Sequence, residues 1–131
     1  FCLSEVKIGL IPATISPYVI RAMGERAARR YFTTAERFDA STALRLGLVS
    51  EVVADEELDT EVEKLIDTLL LNGPRAVREA KRLVADVAGR DISGALVDET
   101  CRRIARIRVS EEGQEGLGAF LNKRKPGWLE T

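Results

Sequence analysis

The chain has 131 residues, the size of one domain, and 45% of them are hydrophobic, which is enough for a core. Only 5% are aromatic, so packing must rest on Leu, Val, Ile and Ala. A net charge of -1 argues against DNA or RNA as the main partner, and the lack of histidine excludes a Ser-His-Asp triad, a His general base and His-ligated zinc within these residues.

The opening segment, FCLSEVKIGLIP, predicts a short strand over residues 1–6 that runs into a loop, because Gly9, Pro12 and Pro17 interrupt regular structure. Ser16-Pro17 reads as a helix start, with Ser as cap and Pro in the first turn. That helix carries Tyr18, Val19, Ile20 and Met23 and stops at Gly24, and a second helix follows over residues 25–32. Asp39 is the expected cap of a helix over residues 40–46, and Gly47 is its stop. LVSEVV, residues 48–53, reads as a second strand. Asp55 then opens a longer helix with Leu58, Val62, Leu65, Ile66, Leu69 and Leu70 on one face. Asn72-Gly73 ends it, and Pro74 starts the next, with Val77, Ala80, Val84 and Val87 in register. A further helix is expected over about residues 92–109 with Leu96, Thr100, Ile104 and Ile107 inward, and a last one over about 112–124 before Pro126. The segment is therefore mostly helical. Its strands need partners from outside these residues, since isolated strands are not stable.

Cys2 and Cys101 lie far apart and form no CxxC pair, which suits a reducing compartment. No apolar run approaches the length of a membrane span. No glycine spacing matches a nucleotide-binding fingerprint, and no set of residues suggests a metal site.

Two places could carry chemistry. Glu5 sits among Phe1, Cys2, Leu3, Val6, Ile8, Leu10 and Ile11. A carboxylate in apolar company loses hydration, which suits general acid–base work near neutral pH; the plain alternative is a loop carboxylate facing water. The second place is Lys123-Arg124-Lys125 with Phe120 one turn earlier. Cations can bind phosphate and a Phe ring can lie against adenine; the plain alternative is charge complementing a helix C-terminus. The other basic pairs and the carboxylates of residues 56–63 read as solvated faces.

Together these residues resemble the crotonase (enoyl-CoA hydratase/isomerase) superfamily over nearly the whole chain. LSEVKIGLIP looks like the stretch carrying the family's second catalytic Glu. DASTALRLGLVSEVV is similar to its helix–Gly–strand segment, and NGPRAVREAKRLV and EGLGAFLNKRKPGW to its C-terminal helices. The resemblance implies an α/β ClpP-like spiral fold. Residues 1–53 would be the end of the spiral core, with one catalytic Glu, and residues 54–131 a C-terminal helical region for oligomerisation and CoA contact. It implies an acyl-CoA thioester substrate, with coenzyme A part of that substrate and no separate cofactor. Glu5 would give the α-carbon its proton, and Pro12, Phe120 and Lys123 would contact substrate. The second Glu and the oxyanion hole would belong to a preceding N-terminal half. A homotrimer or dimer of trimers is expected, in the cytoplasm, with a mitochondrial location left open. Many crotonases carry Gly-Gly-Thr where this chain has Ile15-Ser16-Pro17, and the surrounding stretch looks most like methylglutaconyl-CoA and carboxygeranoyl-CoA hydratases. A general enoyl-CoA hydratase, an isomerase, and a non-catalytic helical assembly module are the alternatives.

Overall fold

The computed structural model describes residues 1–129. The chain forms two compact units, Phe1–Leu58 and a second beginning at Asp59.

In the first unit a 3-10 turn, Glu5–Ile8, precedes α1, Ser16–Thr34, and α2, Ala40–Arg45. Helix α1 is broken at Gly24, whose φ of 78° and ψ of 157° are non-helical, so the expected two-helix reading is the physical one. Its start differs from expectation. Ile15 holds the cap position without a side-chain bond, and the Ser16 hydroxyl donates back to the Ala13 carbonyl at 2.8 Å rather than accepting from the helix. Asp39 caps α2 as expected, accepting from the Thr42 amide at 2.8 Å. At the far end the Gly47 and Leu48 amides return to Leu44 and Ala43, with Gly47 left-handed. The core gathers Leu3, Met23, Ala28, Tyr31, Phe38 and Ala43. Phe38 stacks on Phe1 at 5.4 Å and tilts against Tyr31 at 4.4 Å between ring centroids.

Neither expected strand forms among the described residues. A strand is a pairing, and residues 48–53 find no partner. Residue 1 does exchange two backbone bonds with Phe38, at 2.8 and 3.1 Å, but the pairing extends no further.

The second unit consists of α3, Leu58–Leu70, α4, Pro74–Val87, α5, Gly94–Arg108, and α6, Glu111–Leu121. Helix α3 is entered through a 3-10 turn at Asp55–Glu57. Helices α5 and α6 are capped by Ser93 and Ser110, which accept from the amides three residues on. Few side chains are covered here: among the described residues, Leu96 and Ala119 are the buried hydrophobic ones. Polar clips join the helix ends. The Glu112 carboxylate accepts from the Arg75 and Ala76 amides at 2.9 and 2.7 Å and so caps α4 from α6. Gly73 leaves room for this carboxylate, since a Cβ there would lie 2.6 Å from Glu112 Oε1 and push that side chain aside. After α6 the chain folds back, and Trp128 lies over Gly116 and donates to the Leu71 carbonyl at 3.2 Å.

Candidate functional site

Glu5 opens the 3-10 turn whose end is closed by left-handed Gly9. The Gly9 and Leu10 amides return to the carbonyls of Val6 and Glu5. This fixes the backbone on both sides of the carboxylate. The residue is half-buried, and its Oε2 is shut off from solvent with no hydrogen-bond partner among the described residues. A carboxylate oxygen hidden and unpaired is costly unless something outside the described contacts uses it. The segment around it is open: Ile8, Leu10 and Ile11 are 75%, 59% and 72% exposed. Pro12 is buried in the same loop. Thus Glu5 and Pro12 share one short segment of the first unit.

Phe120 and Lys123 belong to the second unit. Phe120 is 80% exposed at the end of α6. Helix α6 stops at Leu121, so the basic cluster lies beyond the helix rather than within its last turn. Lys123 is exposed and takes the left-handed conformation with φ of 53°. Its amide returns to the Phe120 carbonyl at 3.2 Å, which ties the two residues into one turn. Arg124 is turned away to grip Glu115 through both guanidinium nitrogens, at 2.6 and 2.7 Å. Glu115 also accepts from the Gly127 amide at 2.8 Å. The Arg124 guanidinium, followed by that amide, holds the Glu115 carboxyl down from the usual 4.5 to about 2. Charge pairs also occupy Arg29, Arg30, Arg82 and Arg103, as expected of surface charge.

A cavity of about 460 Å³ lies between α4 and α5, floored by Ala76, Ala80, Leu83, Ile104 and Ile107. Its acid, Glu79, pairs with Arg82, so it offers a packing groove and no evident acid–base chemistry. Among the described residues no group of His, Cys, Asp and Glu could hold a metal ion, and no helix is long and apolar enough to cross a membrane.

The sequence profile of the family described as enoyl-CoA hydratase/isomerase matches residues 1–131. The chain belongs to this family. An enoyl-CoA hydratase structure from Shewanella pealeana is 56% identical, with a TM-score of 0.90 over 98% of this chain and 48% of that one. AtuE from Pseudomonas aeruginosa is 39% identical, with a TM-score of 0.88 over 98% of this chain and 50% of the other. The crotonyl-CoA hydratase of Syntrophomonas wolfei is 32% identical over 126 residues, 95% of this chain and 48% of that protein. The chain thus spans about half the length of the relatives it matches. Its helices are a mostly α part of the crotonase fold.

Proposed function

We propose that the protein carrying this chain hydrates an α,β-unsaturated acyl-CoA thioester, with Glu5 as the acid that protonates the α-carbon. The observation that carries this is the Glu5 carboxylate oxygen, buried and unpartnered in a rigid turn. Water supplies the hydroxyl at the β-carbon, Glu5 supplies the proton at the α-carbon, and the surplus proton of the water restores the starting protonation. We assign the second Glu and the amides that hold the thioester oxygen to the part of the family's length that this chain does not span. Residues 1–53 are then the end of the spiral core, and 54–131 the C-terminal helical region. Pro12 shapes the loop at the acyl end, while Phe120 and Lys123 meet the adenine and phosphate end of CoA. The assembly is a trimer or a dimer of trimers, and the free thiols of Cys2 and Cys101 suit the cytoplasm.

The acyl group is a branched, carboxylated one such as 3-methylglutaconyl-CoA, in leucine or related branched-acid breakdown. The support is Ile15-Ser16-Pro17, which is bulkier than the Gly-Gly-Thr of many crotonases and opens α1 close after Pro12. Isomerisation on the same fold is the second reading, because one Glu suffices to move a proton between carbons.

Glu5→Gln in the full-length protein tests the central claim. The change keeps size and removes the acid, so turnover should fall roughly 100- to 10,000-fold while the KM for CoA esters changes little. Turnover near the parent rate would remove Glu5 from the mechanism. A higher kcat/KM for 3-methylglutaconyl-CoA than for crotonyl-CoA supports the branched substrate, and the reverse order rejects it.

A further inference from the structure

Among the described residues, three turns share one hydrogen-bond pattern. A residue in the left-handed region follows a helical segment, and two successive amides return to carbonyls of the last turn. In two of them the left-handed residue is glycine: Gly9, with bonds from Gly9 and Leu10 to Val6 and Glu5, and Gly47, with bonds from Gly47 and Leu48 to Leu44 and Ala43. In the third it is Lys123, whose amide reaches Phe120 at 3.2 Å while the Arg124 amide reaches Ala119 at 3.0 Å. A side chain is disfavoured at that position, and a strained backbone persists only where its surroundings hold it.

The surroundings that hold it are specific. Glu115, on α6, takes both nitrogens of Arg124 on one side of Lys123 and the Gly127 amide further along the chain. The Arg124 guanidinium also donates to the Lys125 carbonyl at 3.0 Å, closing the segment on itself. Phe120 meanwhile stays 80% exposed, an aromatic ring with most of its face still to be covered. The clasp therefore fixes the backbone between an open ring and an exposed ammonium.

We propose that Glu115 and Arg124 are positioning residues that preset the Lys123 backbone so that its ammonium and the Phe120 ring receive the nucleotide end of a CoA ester together. This rests on the reading of Phe120 and Lys123 as CoA contacts. The benefit is that less of the chain must be ordered on binding, which is the usual gain from a pre-arranged site. The Glu115 carboxylate, held ionised by Arg124, keeps the clasp closed throughout the neutral range.

The test uses the full-length protein and two substrates, an enoyl-CoA and the same acyl group on pantetheine, which lacks the nucleotide. Lys123→Ala should raise KM for the CoA ester about tenfold, the scale of one charge-assisted contact, and leave the pantetheine ester unchanged. Glu115→Ala should raise the same KM by about three- to tenfold with kcat unchanged. It should add nothing further in the Lys123→Ala background. If Glu115→Ala fails to fold, Arg124→Lys carries the same test, since it keeps the charge and loses the paired grip. A Lys123→Ala variant that treats both esters alike overturns the CoA-contact reading and this proposal with it. A selective Lys123→Ala effect beside a Glu115→Ala variant that changes nothing, changes both esters, or adds in full to Lys123→Ala leaves the contact reading standing and overturns the positioning role.

Discussion

The two units are built on opposite plans. The first gathers a core beside its open Ile8–Ile11 segment: Leu3, Met23, Tyr31 and Phe38 are each 8% exposed or less, and the rings of Phe1, Tyr31 and Phe38 form one packed group. The second turns much of its apolar surface outward. On α3 alone, Val62, Leu65, Ile66, Leu69 and Leu70 are between 46% and 66% exposed. Its helices are linked by polar clips, such as Glu112 at the start of α4 and Arg103 of α5 between Asp86 and Glu99. Clips of this kind set direction, but exposed ion pairs contribute little stability. The difference separates a region that can hold a carboxylate rigidly from one whose apolar faces are surfaces to be covered.

The sharpest way to break this contrast is Phe38→Ala. If the first unit owes its order to its aromatic group, the change should cost about 3–5 kcal/mol in a denaturant titration. A loss below 1 kcal/mol would mean that the core is not what holds Glu5 in place. Next in size is the α3 face. The 131-residue chain alone is expected to lack hydratase activity and to self-associate through such faces. Replacing Leu65 and Leu69 with Glu should weaken that association by roughly 1.5–3 kcal/mol, because each has about half its surface left to bury. Sedimentation reads this directly. A monodisperse monomer with cooperative unfolding in the parent chain would show that the second unit needs no cover. A smaller effect is expected from Glu112→Ala, which removes the acceptor at the start of α4 and should cost about 1 kcal/mol. Exchange of the Arg75 and Ala76 amides should speed up while that of the first unit is unchanged.

Acid gives the gentlest comparison, because each unit contains a strongly lowered carboxyl. Asp39 is held at about 2 by the Thr42 amide, the Thr42 and Ser41 hydroxyls and Arg45, and Glu115 at about 2 by Arg124 and the Gly127 amide. Both lie below their usual values of 3.8 and 4.5, so the stability they contribute is present above those values and is lost as pH falls towards 2. Urea midpoints should fall over that window, and Glu115→Gln should flatten the part due to the second unit. A midpoint that does not change between pH 5 and 2.5 would contradict both assignments.

Much of the helical layout was legible because its punctuation is local. Asp39, Gly47 and Pro74 each act through their own backbone neighbours, and each does what its residue type allows. The two strands do not form within the described residues for the opposite reason. LVSEVV has strand composition, but pairing depends on a partner the described residues do not provide. Ser110 was missed as the start of α6 although Ser before Glu111-Glu112 is a readable cap signal. The end of α6 was not readable, since the position that glycine usually marks is held by Lys123. At the site, Glu5 stood out by its apolar neighbours. The grip of Glu115 on Arg124 spans nine residues and an irregular turn, and no periodicity announces it.

The fold-back of Trp128 has an optical consequence. It is the single tryptophan in the chain. Its ring rests on Gly116 and its indole nitrogen is bonded to the Leu71 carbonyl, so its emission belongs to the second unit alone. The first unit reports instead through Tyr31, packed against Phe38. Exciting at long wavelength, where only indole absorbs, follows the second unit alone; short-wavelength excitation adds Tyr18 and Tyr31, so the difference between the two in one denaturant series follows the first unit without any label.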